Sequence, residues 1–263
     1  MKRHIILTHG RSGSNFVANS LNLHPQVVNY GEVFGHWTVP SKLNKFGKLF
    51  GRTDSQFLDY LYRSSTVYYF AQFWSALSHM RAGKPINFKR RSTITTLGVK
   101  EFGMHFDRLG LDDYLAQNPD ISVIYLYREN SLQRYLSVLS LNRNRVIATE
   151  GDVSIPKLTI DVAEMMTSIE VLEQELAYTH KLVRSLTQNP VLEIKYEEAF
   201  AGPESLQAMV KDVCEFLQID PINQTSKQKK ILSSSFQEVI ENYGDFVAAL
   251  KASPYAHWLE AGL

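Results

Sequence analysis

The stretch His4–Asn15, H-I-I-L-T-H-G-R-S-G-S-N, decides the fold. His4–Thr8 is an apolar, β-rich run that reads as a buried strand. His9–Ser14 follows as a tight loop and Asn15–Leu23 as a helix, stopped by His24-Pro25. Gly10 and Gly13 let the backbone take positive φ and come close to a ligand, and Ser14 or Asn15 is expected to cap the helix. A junction of this kind aims unpaired N–H groups and the positive end of a helix dipole at one spot, which favours an anion. A triphosphate loop, G-x-x-x-x-G-K-[ST], would end in Lys-Ser/Thr, but Gly13 is followed by Ser14-Asn15. The expected ligand is therefore a phosphate held without an ATP-type lysine and magnesium clamp.

Outward from this junction the chain alternates strands and helices. Val27–Tyr30 is a short second strand, with Gly31-Glu32 at its end. Ile121–Tyr127 (ISVIYLY) reads as a buried parallel strand, running through Arg128-Glu129-Asn130 into a helix over Ser131–Asn142 that carries Arg134 and Ser137. Val191–Tyr196 reads as another buried strand, and Val213–Ile219 as the helix after it. Met165–Leu186 repeats apolar residues at helical spacing, a face for packing on the sheet or in a homodimer. Ser55–Met80 is the main helical insertion, with Phe57, Tyr60, Leu61, Tyr68, Phe70, Phe73 and Trp74 at mixed spacing. Those rings either fill a core or line a pocket that stacks on a sugar or phenol face. Alternation of this kind implies an α/β fold, a P-loop-like three-layer sandwich with a central parallel sheet and helices on both faces.

Composition fits one enzyme domain over residues 1–263, with the insertion around 38–94 forming part of an acceptor site. A 44% hydrophobic content can bury a sizeable core. Lys+Arg 28 against Asp+Glu 27 leaves no bulk field, so charge-driven nucleic-acid binding is not expected. The lone Cys214 lies in an apolar helical stretch and reads as core. No hydrophobic run approaches the ~18–20 residues needed to span a bilayer, so stable membrane insertion is not expected either. Met1-Lys2-Arg3 leads straight into the first strand, and a cytoplasmic location is the expectation. Neither a Cys/His cluster nor an Asp-rich loop suggests metal ligands.

Taken together, R-S-G-S-N at 11–15, H-P-x-V at 24–27 and Gly31-Glu32 resemble the 5′-phosphosulfate loop and following segment of sulfotransferases that use 3′-phosphoadenylyl sulfate (PAPS). The bacterial carbohydrate (nodulation-type) and tyrosylprotein branches are the most similar. The strand ending in Arg128, followed by a helix with Ser137, resembles the family's 3′-phosphate site; the competing reading pairs Arg128 with Glu129. Thr225–Lys229 and Ile240–Tyr243 are similar to the late cofactor-binding region. The segment Phe34–Ile94 matches no motif.

The resemblance implies that Arg11, Ser12, Gly13, Ser14 and Asn15 hold the 5′-phosphosulfate, Arg128 and Ser137 the 3′-phosphate, and Lys227 and Gln228 further parts of the donor. Small-molecule sulfotransferases place a histidine two residues after a lysine; here Lys100 is followed by Glu101 and Phe102, so that base is missing. Glu32 becomes the candidate general base, with Lys100 and Arg11 as cations on the leaving phosphate. His36 and His105 stay unassigned imidazoles. The implied activity is sulfuryl transfer to a small-molecule or glycan hydroxyl, carbohydrate first, then tyrosine or lipid, with no metal. The alternatives are a nucleotide- or glycan-binding module without turnover, and a P-loop small-molecule kinase.

Overall fold

A computed structural model describes residues 1–36, 38–81, 83, 85–144, 157–222 and 235–259. Contacts group the chain into two compact units, Met1–Tyr127 with Tyr178–Gln224, and Arg128–Ala177 with Thr225–Leu263.

The first unit is built on a five-stranded sheet. Its strands are β1 (Lys2–Thr8), β2 (Val27–Asn29), β3 (Thr96–Phe102), β4 (Ile121–Tyr127) and β5 (Val191–Lys195). They run in the order β2-β3-β1-β4-β5, and every pairing is parallel. The α/β sandwich expected from the strand–helix alternation is the fold observed. β1 sits in the middle because Ile5, Ile6 and Leu7 are all buried and apolar, so both of its faces can be covered. Ile5 and Leu7 join Val28, Leu97, Val99 and Tyr125 in the core on one face. Ile6 points the other way, to Phe16, Val27, Ile124, Leu126 and the buried Cys214.

The helices of this unit are α1 (Ser14–Leu23), α2 (Val39–Lys48), α3 (Asp54–Arg63), α4 (Ser65–Arg81), α5 (Gly103–Leu109), α8 (Tyr196–Ala199) and α9 (Pro203–Leu217). The insertion expected as one helical stretch from Ser55 is broken at Ser64. Its backbone turns extended to end α3, and its Oγ then accepts from the Val67 N–H at 3.2 Å, capping α4. The insertion's rings divide. Phe57, Leu61 and Tyr68 are buried in the core, whereas Tyr69, Phe70, Phe73 and Trp74 stand in solvent.

The second unit holds α6 (Ser131–Asn144), most of α7 (Val162–Arg184), α10 (Phe236–Val239) and α11 (Tyr243–Lys251). Leu132, Leu136, Met165, Ile169, Phe236, Ile240 and Phe246 are among its buried core residues. α6 starts at Asn130, whose Oδ1 accepts from the Gln133 N–H at 2.9 Å. Arg134 is buried in this unit, donating from Nη1 to the Leu172 carbonyl and from Nη2 to Glu175 Oε2, both at 3.1 Å. Of the expected helical stretch Met165–Leu186, the part to Arg184 lies in α7, and Leu186 falls beyond the helix end. No described helix is long and apolar enough to cross a membrane.

In an open parallel sheet, ligands bind beyond the carboxyl ends of the strands, where the connections diverge to opposite sides. That point is β1. The chain leaving it passes through α1 to β2, on the β3 side of the sheet, and β3 is then followed by β4 on the other side.

Candidate functional site

The loop after β1 is tied down from within. Thr8 Oγ1 donates to the Leu126 carbonyl at 2.7 Å and lies 2.5 Å from Ser12 Oγ. Ser12 Oγ in turn donates to the His9 carbonyl at 2.8 Å. The fully buried Ser12 hydroxyl therefore shapes the loop, which leaves its backbone N–H as the group a ligand would meet. Arg11 and Gly13 both sit in the left-handed region, at φ 64° and 78°. For Arg11 this is a strained conformation kept at a loop tip. Burial lowers the Arg11 guanidinium pKa, and the nearby Tyr196 phenol acts in the opposite direction.

Neither Ser14 nor Asn15 caps α1. Gly13 is the N-cap, and no side chain closes the helix end. The reason is spatial: Asn15 Oδ1 accepts from Lys100 Nζ at 2.5 Å, so that side chain is turned away from its own backbone. The first-turn N–H groups keep no side-chain cap, as an anion site requires.

Lys100 comes from β3, next to β1 in the sheet. Its Nζ also lies 2.6 Å from Glu32 Oε1, and both side chains are nearly enclosed, 4% and 15% exposed. The pair follows from strand register. The Tyr30 N–H donates to the Gly98 carbonyl at 2.9 Å and the Lys100 N–H to the Gly31 carbonyl at 3.0 Å. Gly31 then turns at φ 72°, which delivers Glu32 across from Lys100. The second carboxylate oxygen, Glu32 Oε2, is buried and has no hydrogen-bond partner among the described residues. Buried carboxylate oxygens are ordinarily satisfied, so this one calls for a donor.

Two buried groups hold this arrangement, and sequence reasoning assigned neither. Glu101 is fully buried. Its Oε2 accepts from the Val33 and Phe34 N–H groups at 2.9 and 2.7 Å, clamping the two residues after Glu32. Its Oε1 accepts from the Phe102 N–H at 2.9 Å and faces His105 Nδ1 at 2.5 Å. His105 is thereby engaged by Glu101, and the structure does not bring it to Glu32 and Lys100. His36 is exposed. The signal for Glu101 was present: two adjacent charges, Lys100-Glu101, inside a strand whose neighbours are apolar must each find a buried partner.

The other group is His4. Asn29 Oδ1 accepts from the Gly31 N–H at 2.9 Å, so the Asn29 amide nitrogen is left to donate to His4 Nε2, at 3.1 Å. His4 Nδ1–H then donates to Thr96 Oγ1, at 2.9 Å. The chain Thr96–His4–Asn29–Gly31 fixes the turn that carries Glu32. Gly98 makes room for the ring, since a Cβ there would fall 2.1 Å from His4 Nε2.

Burial pushes the His4 pKa down to about 3 from its ordinary 6.5. The unfolded chain thus takes up this proton near pH 6.5, and the folded chain only near pH 3. The associated stability is complete above pH 6.5 and drains as pH falls through that window, by about 1.4 kcal/mol per pH unit. Acidification from about pH 6.5 to 5 should therefore cost the native protein about 2 kcal/mol more than His4→Gln in urea unfolding. Equal pH slopes would show that His4 is not the titrating group.

Arg128 and Ser137 belong to the second unit, where Arg128 hydrogen-bonds Gln133 and Ser137 is a half-buried residue of α6. Lys227 and Gln228 lie outside the described residues. A cavity of about 680 Å³ between α2 and α3 is lined by Leu43, Phe46, Phe50, Arg52 and Tyr60, and neither Glu32 nor Lys100 borders it. Among the described residues no group of three His, Cys, Asp or Glu side chains is placed to hold a metal ion.

No family model matches the chain, and no curated protein matches it in sequence. Solved structures do resemble it in shape. A sulfotransferase from Alicyclobacillus acidocaldarius aligns at TM-score 0.48 and 14% identity, over 99% of this chain and 95% of that one. The sulfotransferase domain of a Synechococcus olefin synthase aligns at 0.43 and 14%, over 92% and 82%. A shikimate kinase from Bacteroides thetaiotaomicron aligns at 0.38 and 10%, over 83% and 99%.

Proposed function

We propose that the protein is a sulfotransferase that moves the sulfuryl group of PAPS to an acceptor hydroxyl, a carbohydrate first, then a tyrosine or lipid hydroxyl. The observation that carries this reading is Glu32, one carboxylate oxygen paired with Lys100 and the other buried with no partner among the described residues, beside a helix N-terminus with no side-chain cap. PAPS supplies an already activated sulfuryl group, so the chain has to provide a base, a cation and a phosphate cradle.

Glu32 Oε2 is proposed to accept the proton of the acceptor hydroxyl. As that oxygen bonds to sulfur, the bond from sulfur to the bridging oxygen breaks and its electron pair stays on the leaving phosphate. The Lys100 ammonium, Arg11 and the N–H groups of residues 12–15 are the cations and donors proposed to meet that charge. Two of the three Lys100 donors are used, on Glu32 and Asn15, which aims the ammonium at the loop. Arg128 and Ser137 are proposed to take the 3′-phosphate, and Lys227 and Gln228 other parts of the donor.

Calorimetric titration tests the donor assignment. 3′,5′-Adenosine bisphosphate should bind and ATP should not; the reverse would favour a kinase. Transfer from radiolabelled donor to an acceptor panel then separates an enzyme from a nucleotide- or glycan-binding module. Arg128→Ala should weaken the bisphosphate by ~1.5–3 kcal/mol, the range for a charged hydrogen bond, and leave 5′-AMP unchanged. Equal losses for both nucleotides would remove Arg128 from the 3′-phosphate site.

A further inference from the structure

Helix α4 is apolar on its exposed side as well as on its buried side, unlike a helix that only packs on a core. It is buried only through Val67, Tyr68 and Gln72. The exposed side carries Tyr69, Phe70, Phe73, Trp74 and Met80, each 44–63% exposed. Phe70, Phe73, Trp74 and Met80 follow helical spacing, so they form one stripe. The rings cover each other rather than being covered by the fold: Phe70 stacks on Trp74 at 6.3 Å, and Tyr69 on the exposed Phe88 at 6.4 Å. A contiguous aromatic face of this kind on a water-soluble unit marks an interaction surface.

Charge identifies what it meets. Residues 60–100 contain no Asp or Glu, although the chain as a whole is nearly neutral at +1. Arg81 and Arg90 are exposed in this stretch, with Arg81 ending α4 on the aromatic stripe itself. Neither Arg81 nor Arg90 makes an ion pair within 4 Å among the described residues. A second copy meeting this face about a two-fold axis would set arginines against arginines, with no carboxylate in the stretch to answer them. A bilayer carrying anionic headgroups answers both features. Trp, Tyr and Phe side chains settle at the headgroup–acyl boundary, and arginines at the rim find phosphates there.

We infer that the exposed face of α4 is a peripheral docking surface for an anionic phospholipid bilayer. It lies on the membrane surface and does not span it. The face includes no residue of the Glu32–Lys100 site, so this inference and the transferase reading stand or fall separately.

Flotation of the full chain with vesicles tests it, using about one-third phosphatidylglycerol in phosphatidylcholine against pure phosphatidylcholine. The protein should float with the anionic vesicles, at least about tenfold better than with the neutral ones, and lose that binding at high salt. Phe73→Ser with Trp74→Ser should weaken it by about tenfold or more, because two buried rings are lost. Arg81→Glu with Arg90→Glu should weaken it on anionic vesicles alone. Since these side chains are exposed, thermal melts of both variants should match the parent. Absence of binding to anionic vesicles, or binding that the aromatic substitutions leave intact, would overturn the inference. So would a dimer in ultracentrifugation that Phe73→Ser/Trp74→Ser abolishes, or tighter binding to an oligonucleotide than to vesicles.

Discussion

Glu32→Gln is expected to lower turnover by about 10²–10⁴-fold, the usual consequence of removing a general base. The amide keeps an oxygen for the Lys100 ammonium, which sits 2.6 Å from Glu32 Oε1 in the parent. Lys100 thus stays tethered to Asn15 and to residue 32, and the affinity for 3′,5′-adenosine bisphosphate should change by no more than about twofold. The melting temperature should fall, because the nearly enclosed Lys100 ammonium keeps a hydrogen bond but loses its counter-charge, whereas the clamp on the following residues, which comes from Glu101, is untouched. Steady-state rates with the best acceptor, alongside calorimetry and a thermal melt, separate these outcomes. A loss under about fivefold would dismiss Glu32 as the base. Acceptor chemistry supplies a control. A phenol partly ionised at high pH needs the base less, so the defect should shrink there for a phenolic acceptor and persist for a sugar hydroxyl.

Gly13 substitutions should be nearly as damaging, for a reason that lies outside the loop after β1. At φ 78° any L side chain is strained, and a Cβ on Gly13 would stand 2.5 Å from the Phe200 ring. Phe200 cannot simply swing aside. It stacks on Tyr196 at 4.7 Å and packs edge-on against Phe16 at 5.8 Å. Gly13→Ala should cost about 2–4 kcal/mol, and Gly13→Val more, combining left-handed strain with overpacking. From sequence, Gly13 is a point of positive φ and close ligand approach. The Phe200 contact adds a packing role, so folding is penalised together with binding. A double-mutant cycle isolates the two terms. In a Phe200→Ala background the penalty of Gly13→Ala in urea unfolding should fall to about 1–2 kcal/mol, the strain of the φ angle alone. An undiminished penalty would rule out the ring contact.

The parallel sheet was legible because β1 and β4 are short apolar runs buried on both faces, and such runs carry their own signature. The loop after β1 was legible too, since glycines followed by a helix are a local pattern. Glu32 and Lys100 stood out as individual residues, but 68 positions separate them in sequence. Only the parallel register of β2 on β3 brings them together, and register depends on which strand pairs with which. His4 and Asn29 were hidden for a related reason, and for Glu101 the sequence signalled burial but not the partners. A buried polar side chain is recognisable only when its partners are known, and these partners are backbone N–H groups and side chains from other strands. The capping of α1 went against local preference because Lys100, from another strand, competed successfully for Asn15. The rings of the insertion show the same division. Sequence determined that 57–74 is rich in aromatic residues at helical spacing, whereas the structure decided that the helix breaks at Ser64 and that Phe57 and Tyr68 enter the core while Phe73 and Trp74 face water. Periodicity says which residues share a helix face; the neighbours that fold back against the helix decide which face is covered.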